Sequence, residues 1–116
     1  MEITLKWNPI STQNAYGQHW KVRYIKKDAL LRKNDYIKQI RMQYKGKPLN
    51  TLLSVYIRLY FKDNLKRDWD NWHKFSMDSL TWLVYDDDSQ IKVATVQMMP
   101  KDKENPRIEI IIDEIQ

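Results

Sequence analysis

The chain has 116 residues, of which 42% are hydrophobic and 30% are charged, and its formal net charge is +5. This length predicts one domain, residues 1–116, and the hydrophobic content excludes a disordered chain. The absence of cysteine excludes disulfides and cysteine-ligated zinc and is compatible with a reducing cytoplasm. No run reaches the roughly 20 apolar residues of a membrane helix, and the N-terminus lacks the apolar region of a signal peptide, so no membrane partner is expected.

The first predicted element is a strand at the N-terminus. Residues 2–7 alternate in polarity, which places Ile3, Leu5 and Trp7 on one side of that strand. Residues 8–20 are rich in Pro, Ser, Thr, Asn and Gly, the residues that favour turns, and they are predicted to form a loop.

A long helix is predicted next, over residues 29–45. Asp28 suits its N-cap, and Gly46 and Pro48 would end it. The spacing of the apolar residues gives this helix one apolar side. That side consists of Leu30, Leu31, Ile37, Ile40, Met42 and Tyr44.

Positive charge is concentrated in this N-terminal half. Residues 1–50 carry eleven Lys or Arg and three Asp or Glu, a net charge of +8, whereas residues 51–90 are at −2 and residues 91–116 at −1. A basic half indicates a polyanionic partner, most often nucleic acid, although a solvated basic helix surface explains the charge equally well. The predicted DNA-binding residues here, interleaved with aromatic rings, are Lys21, Arg23, Lys26 and Lys27.

Three strands and a second helix are predicted in the C-terminal half. Residues 51–62 alternate, with Leu53, Val55, Ile57, Leu59 and Phe61 on one face. A helix of about 14 residues begins at Asp68 or Asp70. Residues 91–99 and 107–115 are predicted to pair as an antiparallel hairpin. The order β-α-β-α-β-β predicts a small α+β domain, with two main helices packed on a mixed or antiparallel sheet.

Six carboxylates gather between Arg67 and Ile91, among many large apolar residues. They are Asp68, Asp70, Asp78, Asp86, Asp87 and Asp88. Grouped carboxylates repel one another, and burying them beside tryptophans is costly unless a cation neutralises them. Mg²⁺ takes oxygen ligands and keeps several waters, so two or three of these carboxylates would suffice to hold it.

Each of these acids also has an ordinary structural interpretation. Asp68 or Asp70 alone is typical of a helix N-cap, and the three aspartates at 86–88 are typical of a solvated turn. Lys74 alone is typical of a helix ion pair with Asp70 or Asp78, four residues away. The two histidines lack zinc-ligand spacing, and no glycine-rich phosphate loop is present.

Residues 67–91 contain the pattern D-x-D-N-x-x-K, then a helix, then D-D-[AS]-Q, at Asp68, Asp70, Asn71, Lys74, Asp87, Asp88, Ser89 and Gln90. A mid-helix D-[AS]-L lies at residues 78–80. This pattern resembles that of the RusA family of Holliday junction resolvases. A weaker likeness covers the whole chain, including Pro9, Ser11, Asn14 and Tyr16 in the N-terminal loop.

The resemblance implies a Mg²⁺-dependent homodimeric endonuclease, with Mn²⁺ as an alternative ion. Such an enzyme resolves four-way DNA junctions by paired symmetric nicks, in DNA recombination and repair, and is bacterial or phage-encoded and cytoplasmic. Carried over by position, Asp68, Asp70 and Asp88 are the catalytic metal ligands and Lys74 is the essential lysine. Asp87 is a weaker candidate acid. Lys66 and Arg67, which precede the motif, join the predicted DNA-binding residues.

Two other functions remain open from the residues alone. One is a related nuclease that cuts flaps or replication forks. The other is a non-catalytic basic DNA-binding module in which the acids only cap helices and form turns. For the dimer, either the first helix or an exposed strand edge is expected to form the interface, with one or two of the five tryptophans in it.

Overall fold

The computed structural model describes residues 1–11, 16–19 and 22–115, and it describes residues 16–19 and 22–25 by their backbone alone. Within these ranges the chain forms six strands, two α-helices and two short 3₁₀ helices. The strands are β1 (Glu2–Lys6), β2 (Tyr16–His19), β3 (Val22–Ile25), β4 (Leu53–Tyr60), β5 (Ile91–Met98) and β6 (Arg107–Glu114). The helices are α1 (Lys27–Gln43), η1 (Trp69–Asn71), α2 (Lys74–Leu80) and η2 (Asp88–Gln90).

The main sheet has four strands in the order β1-β6-β4-β5. β6 is antiparallel to both β1 and β4, whereas β5 is parallel to β4. The predicted hairpin of residues 91–99 with 107–115 is therefore wrong, because β4 lies between the two strands. β4 alternates strictly between buried and half-buried residues, which suits the centre of the sheet. The parallel pairing makes residues 61–90 a crossover connection.

One face of this sheet carries the hydrophobic core. The predicted face of β4 is confirmed, since its residues 53, 55, 57 and 59 are all at most 3% exposed. β1 contributes Ile3 and Leu5, and β6 contributes Ile108, Ile110 and Ile112. The helices and the loop before β5 cover this face with Ala29, Tyr36, Ile40, Phe75, Met77, Leu80, Val84 and Tyr85. The α+β class with two main helices is confirmed.

The segment before the first helix differs from the prediction in two places. Part of the predicted loop is a hairpin, in which β2 pairs with β3 from Tyr16 opposite Ile25 to His19 opposite Val22. Trp7 lies beyond the end of β1 and is 59% exposed, because its backbone turns out of the strand at a φ of 92°.

The first helix begins two residues earlier than predicted. Its N-cap is Lys26, and Asp28 lies in the first turn instead. The predicted apolar side was partly wrong, because the helix buries Ala29, Tyr36 and Ile40. The buried side of the helix is therefore rotated about the helix axis from the predicted side. Leu30, Leu31 and Met42, which were predicted on the apolar side, are exposed.

The predicted 14-residue second helix is instead two short helices. η1 ends at Asn71, and Trp72 takes a φ of −122° and a ψ of −8° that interrupts the helix. α2 then has only seven residues. It packs against α1 on one side and lies over β4 on the other, so Met77 is only 7% exposed.

Candidate active site

The first two candidate acids flank Trp69 in η1. Asp68 and Asp70 are both exposed, and Asp68, although it stands at the N-cap position, accepts no capping hydrogen bond from the helix. The next motif residue fixes this turn, since Asn71 Nδ2 donates to the buried Ser11 Oγ at 2.7 Å. This bond ties η1 to the segment that follows β1 and leaves both carboxylates facing solvent.

Lys74 and Asp88 are brought together by the fold. The Lys74 ammonium lies 3.6 Å from Asp88 Oδ2 and 3.2 Å from Asp78 Oδ1. Burial lowers the Lys74 pKa, but the hydrogen bond and charge of Asp78, together with the charge of Asp88, outweigh it and raise that pKa above its usual value. Lys74 is therefore a charged group that holds an acid of α2 and an acid of η2.

A buried tyrosine also orients Asp88. The Tyr85 hydroxyl donates to the Met77 carbonyl at 2.9 Å and lies 3.4 Å from Asp88 Oδ1. Thr81 Oγ1 is 3.3 Å from the same oxygen. Burial raises the pKa of the Tyr85 hydroxyl, so it stays protonated at neutral pH and can act as a donor. Asp88 thus has one oxygen toward hydroxyl groups and the other toward Lys74.

The remaining acid of the motif, Asp87, works as a cap. Its carboxylate accepts from the Ser89 backbone N–H at 2.9 Å, and the Asp87 N–H donates to the Gln90 side chain at 2.8 Å. The Ser89 hydrogen bonds lower the pKa of Asp87. Gln90 Nε2 in turn donates to the carbonyls of Leu49 and Thr51 at 2.8 and 2.9 Å. These bonds attach η2, and with it Asp88, to the start of β4.

The donor chemistry of the site suits a hard cation, but its acids are separated. Asp68 and Asp70 form no hydrogen bond or ion pair with Lys74 or Asp88 in the described residues. The same described ranges contain no group of three or more His, Asp or Glu that could hold a metal ion. Two carboxylates with waters are enough for Mg²⁺, so the residue types fit the ion although no three-acid cage is preformed.

The predicted DNA-binding residues differ in their exposure and in whether the structure describes them. Lys26, Lys27 and Lys66 are exposed. Lys21 and the side chain of Arg23 lie outside the described residues, as do the rings of Tyr16, Trp20 and Tyr24.

Arg67 is held within the protein. Its guanidinium lies 4.1 Å from the Phe61 ring centroid, 5.4 Å from that of Trp72 and 2.7 Å from Asp63 Oδ1. Its side chain is 10% exposed. Arg67 thus stabilises the segment before η1, and its DNA-binding role stays a prediction.

A basic face of α1 was missed by the sequence interpretation. Lys33, Ile37 and Arg41 follow one another at four-residue steps and line the same groove as Asp78 and Asp88. The signal was present in this spacing, but the helix register was assigned from the apolar residues alone. Trp82, 79% exposed on the other side of that groove, was also missed.

The comparisons with known proteins decide the family. The family model described as Endodeoxyribonuclease RusA matches residues 6–113. The chain belongs to the RusA family. The RusA match runs from the end of β1 almost to the end of β6, and it includes η1, α2 and η2 with all of the candidate acids. RusA membership supports a nuclease that acts on DNA in recombination or repair.

No curated protein matches the chain. In the part of this RusA chain that the structure describes, every helix is too short or too polar to cross a membrane.

Proposed function

We propose that this protein is a Mg²⁺-dependent, structure-selective endodeoxyribonuclease that resolves four-way DNA junctions by paired symmetric nicks. The observation that carries the proposal is the RusA match over residues 6–113. The arrangement of Lys74 within 3.6 Å of Asp88 supports it, because these two motif residues come from different helices. Such convergence of charged residues at one exposed point is typical of a reactive site.

Asp68, Asp70 and Asp88 are the residues that would hold the Mg²⁺ ion, or Mn²⁺ in its place. When bound, the ion would activate water for attack and neutralise charge on the phosphate. Hydrolysis adds a water oxygen to phosphorus and breaks one phosphorus–oxygen ester bond, and the departing oxygen takes up a proton. Asp87, which caps η2, is proposed to support Asp88 and to be only a weaker candidate for direct contact with the ion.

Lys74 has two roles in this proposal. It holds Asp88 on the same side of α2 as Asp78, and its ammonium is half exposed, with 51% of the side chain accessible to a bound phosphate. A fixed positive charge stabilises the negative charge that grows on a phosphate during hydrolysis. Tyr85, protonated at neutral pH, keeps the Asp88 carboxylate oriented.

The partner in this proposal is junction DNA, bound by the basic N-terminal half. Lys26 and Lys27 at the start of α1 and Lys66 before η1 are exposed and available to phosphates. Lys21, Arg23 and Arg67 complete the proposed set. Affinity should fall with salt, with log K declining by about 0.9 for each phosphate contact per tenfold rise in salt. Nearly salt-independent binding would contradict this interface.

A homodimer is part of the same proposal, because resolving a two-fold junction needs two matched nicks. The free edge of the sheet supports a self-complementary contact. β5 pairs only with β4 in the described chain, and the apolar side chains Val93 and Met98 are 54% and 37% exposed on it. Light scattering should report about twice the 14.2 kDa chain mass. A monomer that still makes paired nicks would refute the dimer.

A cleavage panel tests the activity. A labelled four-way junction, a flap, a fork and a plain duplex are incubated with the protein and Mg²⁺, with EDTA as the metal-free control. Paired symmetric nicks in the junction alone support the proposal. Cleavage confined to flaps or forks would replace it with the related nuclease activity. Binding without cleavage of any substrate would indicate a non-catalytic DNA-binding module.

Two matched variants make the panel specific for the site. Asp70→Asn should abolish cleavage and keep or tighten junction binding, because one negative charge near the phosphates is gone. Asp86→Asn removes an exposed acid two residues before Asp88 that the proposal gives no role, and it should cut like the wild type. Wild-type cleavage by Asp70→Asn would remove Asp70 from the site.

A further inference from the structure

An open groove of about 700 Å³ runs beside the candidate acids. One wall is α1, which presents Lys33 and Arg41 with Ile37 between them. The opposite wall is formed by Asp78 of α2, by Trp82 in the turn after α2 and by Asp88 of η2. The groove therefore has a basic side on α1, and an opposite side on which Trp82 lies among Asp78, Asp87 and Asp88 of the candidate site region.

The basic wall is free to bind a ligand. Within the described residues neither Lys33 nor Arg41 forms a salt bridge, whereas Lys74 across the groove is paired with both Asp78 and Asp88. Lys38 and Lys45 extend the positive charge along a second groove on α1, which Arg41 also lines. Unpaired basic side chains in a row along a helix are suited to successive phosphates.

Trp82 is not explained by the fold. Its backbone φ is 71°, a left-handed conformation that a bulky side chain rarely adopts and that glycine takes without steric cost. The Trp82 N–H donates to the Tyr85 carbonyl at 2.7 Å, so the turn is held by backbone bonds. The side chain is 79% exposed and adds little to the core. A strained backbone that displays an aromatic ring beside a site points to a functional role for the ring.

The geometry assigns this groove to one unpaired DNA strand, with its phosphates on Lys33 and Arg41 and a base stacked on Trp82. The inference rests on the proposed nuclease function, since Asp88, which lines the groove, belongs to the candidate site. Basic side chains together with an exposed aromatic ring are the elements with which proteins bind single strands. In a duplex the faces of the bases are already stacked, so Trp82 selects DNA whose base faces are exposed, as in a single strand or where stacking is interrupted at a branch point.

Equilibrium binding in EDTA tests the inference without requiring cleavage. The probes are a fluorescent dT12 oligonucleotide and a plain duplex of the same length. Trp82→Gly removes the ring and relieves the backbone strain, and it should weaken dT12 binding by about 5- to 150-fold with little change for the duplex. Trp82→Phe should recover most of the dT12 affinity. Lys33→Gln with Arg41→Gln should weaken dT12 binding and reduce its salt slope.

Trp7→Gly is the matched control. Trp7 is also exposed, at 59%, and also has a positive φ, of 92°, but it does not line this groove. It should bind dT12 like the wild type. Unchanged dT12 binding by Trp82→Gly would overturn the inference, and so would an equal loss for dT12 and duplex.

The oligomeric state and the cleavage assay separate the remaining outcomes. Conversion of a dimer to a monomer by Trp82→Gly would assign the ring to a subunit contact and overturn the inference. A wild-type protein that shows Trp82-dependent binding of dT12 but cuts no DNA would support the strand-binding groove and refute the nuclease proposal. The two failures are therefore distinguishable.

Discussion

The Lys74 ammonium lies 3.6 Å from the Asp88 carboxylate, although the two residues are fourteen positions apart in the chain. This contact brings α2 and η2 together at the surface, beside the groove that α1 completes. Lys74 therefore has two roles that mutation can separate: its ion pair contributes to stability, and its positive charge is proposed to act on the reacting phosphate. Exposed ion pairs contribute at most about 1 kcal/mol to stability, whereas a positive charge at a reacting phosphate has a much larger effect on rate.

Lys74→Met should lower cleavage by about 100-fold or more while changing the free energy of unfolding by less than about 1 kcal/mol. Lys74→Arg keeps the charge and should retain more activity. Single-turnover cleavage and urea denaturation give the two numbers. Lys103→Met, at an exposed position in the loop before β6, is the control and should change neither. A Lys74→Met protein as active as the wild type would remove this lysine from the mechanism.

Gln90→Ala should reduce both stability and cleavage. The Gln90 side chain donates to two backbone carbonyls and accepts from the Asp87 N–H, so its loss removes three hydrogen bonds and should cost about 1–3 kcal/mol. Because η2 carries Asp88, cleavage should fall although Gln90 is not one of the three proposed metal ligands. Thermal unfolding and the junction assay measure the two effects. Glu104→Ala, at an exposed position in the loop before β6, should leave cleavage intact.

Arg67→Ala should destabilise the protein by about 1–2 kcal/mol, because the guanidinium covers the Phe61 and Trp72 rings. Lys66→Ala, its exposed neighbour, should have no such effect. If Arg67 acts only in packing, the DNA-binding loss of Arg67→Ala should not exceed that of Lys66→Ala. Urea denaturation and a salt series of junction binding provide the comparison.

The Arg67 hydrogen bond, with help from the Leu65 N–H, lowers the pKa of Asp63. A carboxyl group with a lowered native pKa stabilises the fold above its unfolded pKa of about 3.9, and this contribution is lost as pH falls through the native value. Asp63→Asn should therefore flatten the stability profile below about pH 4. If the stability of this variant falls with decreasing pH as steeply as that of the wild type, the Asp63–Arg67 pair is not formed in solution.

Tyr36 should make the protein sensitive to alkali. Its ring is buried beside Phe75 with centroids 5.9 Å apart, and burial raises the pKa of its hydroxyl, although the nearby Arg32 charge opposes the rise. A raised native pKa means that its contribution to stability is full below about pH 10 and declines above it. Tyr36→Phe should lose less stability than the wild type between about pH 10 and 12. Tyr56→Phe, at a half-buried position on the outer sheet face, should follow the wild type.

Much of the fold followed from local patterns in the sequence. The alternation in residues 51–62 predicted the buried face of β4, because a strand with one covered face must alternate. The first helix was placed within two residues, but its buried side was not. Tyr36 and Ala29 are weaker apolar signals than Leu30 and Leu31, and only the position of the sheet decides which side is covered.

Strand partners and helix breaks depended on distant contacts. β5 and β6 are adjacent in sequence and resemble a hairpin, yet both pair with β4 because that places the most apolar strand at the centre. The break at Trp72 accompanies an anchor from Asn71 to Ser11, sixty residues away. The acids of the candidate site were recognisable as a sequence motif. The groove was not, because its two walls come from α1 and from the segment that contains α2 and η2, and local periodicity does not show that these segments lie side by side.

The parallel pairing of β4 with β5 has a consequence for how the protein acquires activity. Residues 61–90, which connect the two strands, contain η1, α2 and η2. Closing a connection of this length costs conformational entropy before the hydrogen bonds between the two strands form. Such non-local pairing is therefore slower than the formation of local structure during folding. Lys74 and Asp88 both lie within this connection, and Gln90 attaches η2, which carries Asp88, to the segment that leads into β4. A nascent or partly unfolded chain therefore carries the candidate acids without the arrangement that the proposed hydrolysis requires.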